Sequence, residues 1–383
     1  MLLYRNFGKT NELVSVLGFG CMRLPLIGSD PTNIDEEKAI SMLRYAIDAG
    51  VNYVDTAYPY HGTGFTHGGA SEPFVAKALK DGYRERVKLA TKLPSWLIKT
   101  RADMDKYLNE QLARLETDSI DFYLVHSLNG GTWPVLKEAG ISEFLDQAIK
   151  DGRIKYAGFS FHDQAELFKE IVDYYDWSFC QIQYNYLDED YQAGKEGLEY
   201  AASKGLGIAI MEPLRGGNIT NLPQAAIDIL DQAEVKRTPA EWALRWVWNH
   251  SEVSVVLSGM TTMEQVVENV KVAQAAQAHS LNAKELGLID AVKNVFQERI
   301  KVNCTGCSYC MPCPAGINIP TCFSMYNDHW VFDGTPAAKE RYTILSKLAA
   351  PASKCVECGK CESHCPQGIT IREELKNVTA LFE

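Results

Sequence analysis

At 383 residues the chain exceeds one ordinary core, unless that core is a barrel, which can run past about 200 residues as a single domain. Its 46% hydrophobic and 23% charged residues are globular proportions, and apolar runs such as 253–257 are far too short to span a bilayer, so no membrane role is expected. The net charge of −11 leaves no basic stripe to displace counterions from phosphates, which argues against a nucleic-acid partner.

The opening Met1-Leu2-Leu3-Tyr4-Arg5 lacks the basic start and long apolar stretch of a signal peptide, and a cytoplasmic protein is expected. Two short strands over 2–7 and 14–16, turning near Gly8-Lys9-Thr10, precede a repeat. Within it, β-rich runs at 17–22, 53–56, 88–92, 122–126, 156–160, 180–184, 207–211 and 253–257 read as strands. Between and after them, 35–49, 72–79, 101–115, 142–150, 164–174, 195–203, 239–248 and 263–275 read as helices. In the first of these, Ala39, Ile40, Leu43, Ala46 and Ile47 recur at helical spacing and Gly50 closes the helix. Eight strands alternating with helices make an α/β protein, with a (β/α)8 TIM barrel behind an N-terminal β-hairpin as the natural closure. A doubly wound open sheet would carry a Gly-rich dinucleotide fingerprint after its first strand, and this sequence has none there. A further helix over 284–299 leads into a tail rich in Pro, Gly and Cys. The expected division is a barrel over 1–300 and a small second domain over 301–383 that buries little core of its own and is held together by metal.

Cysteine usage divides the chain the same way. Only Cys21 and Cys180 precede residue 300, and nine cysteines fall between Cys304 and Cys365. A secreted disulfide scaffold would be short, so clustered thiols in a chain of this length point to metal. The tail holds Cys304-x2-Cys307-x2-Cys310-x2-Cys313-Pro314 and Cys355-x2-Cys358-x2-Cys361-x3-Cys365-Pro366. The second run has the spacing of bacterial two-cluster ferredoxins, in which the fourth cysteine ligates the other cluster. That resemblance implies two [4Fe–4S] clusters in a ferredoxin-like domain, one on Cys304, Cys307, Cys310 and Cys365, the other on Cys355, Cys358, Cys361 and Cys313. The first run departs by one residue before Cys313. Zinc ribbons are the alternative, but they use separated C-x2-C knuckles rather than triple runs. Cys322 is expected as a packed thiol and His364 as a solvated neighbour.

Four residues fall where a barrel enzyme places its chemistry, at the C-terminal ends of strands. Asp55 ends the second strand, Tyr60 follows in its loop, Lys92 ends the third and His126 the fourth. Reducing a carbonyl needs a hydride on carbon and a proton on oxygen. Tyr60 would donate that proton, with the Lys92 ammonium stabilising the phenolate, Asp55 fixing Lys92, and His126 hydrogen-bonding the carbonyl oxygen. The Gly-rich stretch 58–71, with His61 and His67, is expected either to be mobile or to shape the substrate pocket, with Trp96 and Trp133 lining it. Trp242, Trp246 and Trp248 are expected to be packing residues.

These positions, with Gly18-Phe19-Gly20, Asp55-Thr56-Ala57, Gly158-Phe159-Ser160, Pro213-Leu214 and Glu268-Asn269, resemble the aldo-keto reductases over roughly residues 1–300. With the cysteine tail the chain resembles the ferredoxin-fused branch of that family. The resemblance implies a small carbonyl or alcohol substrate and NAD(H) or NADP(H). Gly20, Cys21, Met22, Ser160 and Gln181 would surround the nicotinamide. The run through Met211, Pro213, Leu214 and Gly216 would cradle the pyrophosphate, and Glu268 and Asn269 would meet adenine. The sequence departs from the family at Met211, where an aromatic ring is usual, at Phe161, and at Ser258-Gly259-Met260-Thr261 with Gln265, which lack the cations that hold a 2′-phosphate. Arg215 could substitute. Nicotinamide moves electrons in pairs and each cluster moves one. An electron-transfer protein with a flavin in the barrel, served by the clusters and a redox partner protein, is therefore the rival reading.

Overall fold

In the computed structural model, all residues are described except 305, 307–309, 335 and 366. The chain forms two compact units, one of residues 1–216 and 240–281, the other of residues 217–239 and 282–383.

The first unit opens with an antiparallel hairpin of β1 (Tyr4–Asn6) and β2 (Leu13–Ser15). Eight parallel strands follow: β3 (Leu17–Gly20), β4 (Tyr53–Asp55), β5 (Lys88–Leu93), β6 (Ile120–Leu128), β7 (Ile154–Phe161), β8 (Phe179–Gln183), β9 (Gly207–Met211) and β10 (Val255–Gly259). They close into a barrel in which β10 pairs with both β3 and β9. The expected barrel and hairpin are thus observed. The strand expected over 253–257 runs two residues later, and the one ending at His126 continues to Leu128.

The hairpin plugs the end of the barrel where the strands begin. The Phe7 ring lies 4.7 Å from Phe122, 5.2 Å from Phe179 and 5.6 Å from Tyr53, so three strands share one aromatic stopper. Gly8 makes the approach feasible, since a Cβ there would stand 2.1 Å from the Gly207 amide nitrogen. With that end filled, chemistry is confined to the other, where the strands finish. Outside the strands, Trp248 donates its indole N–H to the Val16 carbonyl, and Trp242, Trp246 and Trp248 are all buried.

The second unit buries more than the little core expected of the tail. Helices Ile319–Val331, Pro336–Leu348 and Ile371–Phe382 enclose fifteen buried residues, among them Phe323, Tyr342, Leu375 and Val378. Six cysteines, Cys304, Cys310, Cys313, Cys355, Cys361 and Cys365, pack against this core. The helices escaped sequence reading because their inner faces mix Cys, Tyr, Met and Phe with Leu and Val, which blurs apolar periodicity. Asn318 caps the first helix by accepting the Thr321 N–H at 3.3 Å, with Pro320 in its first turn.

Candidate active site

Lys92 is fully buried near the end of β5. Its ammonium donates to both Asp55 oxygens at 2.7 Å, to the Thr56 carbonyl at 2.8 Å and to Tyr60 Oη at 3.2 Å. Burial opposes the Lys92 charge, but Asp55 and Tyr60 outweigh it and hold the ammonium above its ordinary pKa. Because Lys92 fills an acceptor position on Oη, the phenolic hydrogen is free to point elsewhere. Burial pushes the Tyr60 phenol above its usual range, and Lys92 reverses this only in part. Tyr60 therefore stands as a proton-bearing phenol rather than as a phenolate.

The His126 ring lies 6.0 Å from the Tyr60 ring at 80° and 5.1 Å from Trp96. Its aim comes from an irregularity in β6. The register with β7 shifts between Val125 and Leu128, and Ser127, at φ +55°, donates its N–H to Ser160 Oγ at 2.7 Å. Burial, with the Lys92 charge second, holds His126 well below the usual imidazole pKa, so the ring is neutral. Its Nδ1 is buried without a hydrogen-bond partner.

Four sequence-expected cofactor residues lie on or just after barrel strands. Cys21 is buried just after β3 and donates its N–H to the Asp55 carbonyl, while Met22 is 54% exposed. Ser160 is buried one residue before the end of β7, and Gln181 is buried in the middle of β8. Gln181 Nε2 lies 3.4 Å from Met211 Sδ, and its Oε1 is buried without a partner. An orphaned amide oxygen fits a donor from a bound carboxamide. At Gly20 a Cβ would stand 3.3 Å from the Ser258 carbonyl. Pro213 is buried and Leu214 half-buried after β9, where Glu212, Arg215 and Gly216 all take positive φ. Arg23 reaches across to Gly216, with Nη2 3.0 Å from the place of a Cβ there. On the helix Met263–Ala273, Glu268 is half-exposed. Asn269 is turned inward and donates to Ser258 Oγ at 3.0 Å. Gln265 Oε1 accepts from the Thr262 N–H at 3.3 Å, as half of that helix's capping box, and from the Thr261 N–H at 2.7 Å.

Trp96 sits over the site, and its indole N–H donates to the Phe65 carbonyl in the Gly-rich loop at 2.8 Å. Trp133 does not line the pocket. It is buried, donates to Glu170 at 2.9 Å and packs edge-on to Tyr174, because a helix (Trp133–Glu138) begins at that residue. Sequence reading also missed a buried polar group behind Lys92. Glu72 accepts from Thr91 at 2.8 Å, from Gln111 at 2.7 Å and from Arg114 at 2.8 Å, and Gln111 donates to the Lys92 carbonyl at 3.0 Å. The one available signal was Gly68-Gly69, a pair that permits close backbone approach.

In the second unit, Cys313 and Cys310 share the wall of a cavity of about 190 Å³ with Cys355, Cys358 and Cys361. Met311, Ile319, Val356 and Leu375 supply its apolar surface. Soft thiolate donors around an apolar cavity suit an iron–sulfur cluster. Cys304 and Cys365 are half-buried nearby in the same core, Cys322 is fully buried and His364 is exposed. Cys307 lies outside the described residues.

Comparison with known proteins accounts for both halves. Residues 16–294 match the model of the aldo/keto reductase family and residues 303–370 that of the 4Fe-4S dicluster domain. A probable aldo-keto reductase of Glycine max is 27% identical over 308 residues, covering 71% of this chain and 84% of that one. An NADH-specific methylglyoxal reductase of Escherichia coli (strain K12) is 27% identical over 311 residues, covering 69% and 91%. An aldo-keto reductase of Bacillus halodurans in its holo form superimposes with a TM-score of 0.63 at 26% identity, covering 76% of this chain and 96% of that one. The chain therefore belongs to the aldo/keto reductase family of oxidoreductases and carries a C-terminal 4Fe-4S dicluster domain.

Proposed function

We propose that the barrel catalyses nicotinamide-dependent oxidoreduction of a small carbonyl or alcohol, with Tyr60 as the proton donor. The observation that carries this reading is the Lys92 ammonium, locked between Asp55 and Tyr60 in a buried site. A bound nicotinamide would supply the hydride. Tyr60 gives its proton to the carbonyl oxygen, and the phenolate left behind is stabilised by Lys92, which Asp55 and the Thr56 carbonyl hold in place. His126, neutral and rigidly aimed, donates from Nε2 to the same oxygen and orients it. Gln181 and Ser160 would face the nicotinamide, and Arg23 with Arg215 would bring positive charge beside Gly216 for the pyrophosphate. The half-exposed Glu268 would meet adenine.

In the tail, Cys313 would complete one cluster with Cys355, Cys358 and Cys361, and Cys365 the other with Cys304, Cys307 and Cys310. The clusters would exchange single electrons with a redox partner protein. Their domain and the barrel would work in the cytoplasm; among the described residues no helix is long and apolar enough to cross a membrane.

The decisive experiment is titration of anaerobically purified protein with NADH and NADPH, followed by tryptophan fluorescence, alongside carbonyl reduction by Tyr60→Phe. Binding of either nucleotide and a loss of turnover in the variant are expected. Full activity in Tyr60→Phe refutes the assignment. Flavin released by acid, with no response to either nucleotide, replaces it with the electron-transfer reading.

A further inference from the structure

The tetrad does not explain why a fully buried carboxylate, Glu72, and an arginine that reaches a loop carbonyl stand directly behind it. Tyr60 is carried not by a strand but by the loop 58–71, so its hydroxyl is only as well placed as that loop. The loop doubles back on itself. Gly69 donates to the Tyr58 carbonyl at 2.8 Å, Ala70 to His61 at 2.9 Å and Ser71 to Tyr60 at 3.2 Å. The returning limb, 69–71, is thus the template against which the backbone around Tyr60 is set.

Arg114 grips that limb. Its Nη2 donates to the Gly69 carbonyl, and its Nε donates to Glu72 Oε2 at 2.8 Å. The other oxygen of Glu72 accepts from Thr91 and from Gln111, and Gln111 also donates to the carbonyl of Lys92. Tyr123 completes the set by donating to Gln111 Oε1 at 2.8 Å. One continuous hydrogen-bonded chain therefore runs from the backbone of Lys92 to the limb that places Tyr60. The loop's composition fits this grip. A Cβ on Gly68 would stand 2.6 Å from Arg114 Cζ, and one on Gly69 would stand 2.1 Å from the Tyr60 carbonyl oxygen. The paired glycines are there to admit the guanidinium and the tight return.

We propose that Arg114 is a positioning residue for Tyr60, latching the donor loop to the frame that holds Lys92. This rests on the reading of Tyr60 as proton donor. A proton donor and its ammonium partner must keep their separation to fractions of an ångström, and a misplacement of about 1 Å from a remote change can cost about 100-fold in rate.

The test uses the whole cluster-loaded protein. Arg114→Met keeps the bulk of the side chain but leaves Glu72 without its counter-charge. Gly68→Ala is its companion, displacing the guanidinium without removing a charge. In both, kcat for carbonyl reduction should fall by about 100-fold with nucleotide affinity unchanged. The amides of Gly69, Ala70 and Ser71 should exchange with deuterium faster than in the parent, and Arg114→Lys should restore part of both properties. Parental kcat in Gly68→Ala overturns the proposal, as does a loss of kcat with unaltered exchange at 69–71. Full activity in Tyr60→Phe would instead remove the underlying donor assignment, and the exchange measurement would still decide whether Arg114 holds the limb.

Discussion

Replacing Lys92 by Met separates what the tetrad contributes to stability from what it contributes to chemistry. Lys92 is fully buried and makes both of the Asp55 contacts at 2.7 Å. Its loss leaves a buried carboxylate without its counter-charge, a change that costs about 3–5 kcal/mol. At about 2–4 °C per kcal/mol for a domain of this size, the barrel should melt roughly 6–20 °C lower. Six of the seven tryptophans precede residue 300, so fluorescence melting reports on the barrel. The deficit should depend on pH. Burial already raises the Asp55 carboxyl and Lys92 is what lowers it, so the variant's folded pKa climbs further above the unfolded value. A carboxyl raised on folding carries no penalty when protonated in both states, so the deficit shrinks as pH falls toward about 4 and widens above it. Adding Asp55→Asn should recover most of the melting temperature but none of the turnover. A single Lys92→Met variant as stable as the parent at pH 7, or a double variant that reduces carbonyls, would refute the reasoning.

Three further outcomes follow from the geometry. His126 is held far below the usual imidazole range, first by burial and then by Lys92, so kcat should show no limb near pH 6.5 that His126→Gln abolishes. In the same group the unfolded state binds a proton that the folded state refuses, so its contribution to stability is complete above about pH 6.5 and is lost as the pH falls below it. Thermal melts of parent and His126→Gln between about pH 5 and about pH 8 should diverge on the acid side only. For the clusters, Cys313→Ala and Cys355→Ala should each lower bound iron to about half, and the double variant should lose no more than either alone. Complete iron loss in the double variant would rule out their sharing one cluster.

Much of the active site was legible in the sequence because barrel chemistry sits at strand ends. The β-rich runs placed Asp55 on the last residue of β4, Lys92 one residue before the end of β5 and His126 two residues before the end of β6. Cysteine spacing marked the tail in the same way, since three ligands to one cluster can come from a single short run. The eight-strand alternation announced the barrel.

Tertiary structure decided everything that depends on residues far apart in sequence. No local pattern distinguishes Trp96, which covers His126, from Trp133, which packs beneath Tyr174. The helices of the tail became visible only once Phe323, Tyr342 and Val378 were seen to share one core. The loop 58–71 read as either mobile or pocket-shaping, and nothing local showed that Gly68 and Gly69 make room for Arg114, forty-odd residues away. Asn269, which the family resemblance implies beside adenine, turns its amide to Ser258 because the helix face is fixed by packing and not by sequence order. Sequence by itself determined which chemical groups this protein has and near which strand ends they lie. Their distances, charges and supports come only from folding, because burial and long-range hydrogen bonds exist only when the barrel has closed.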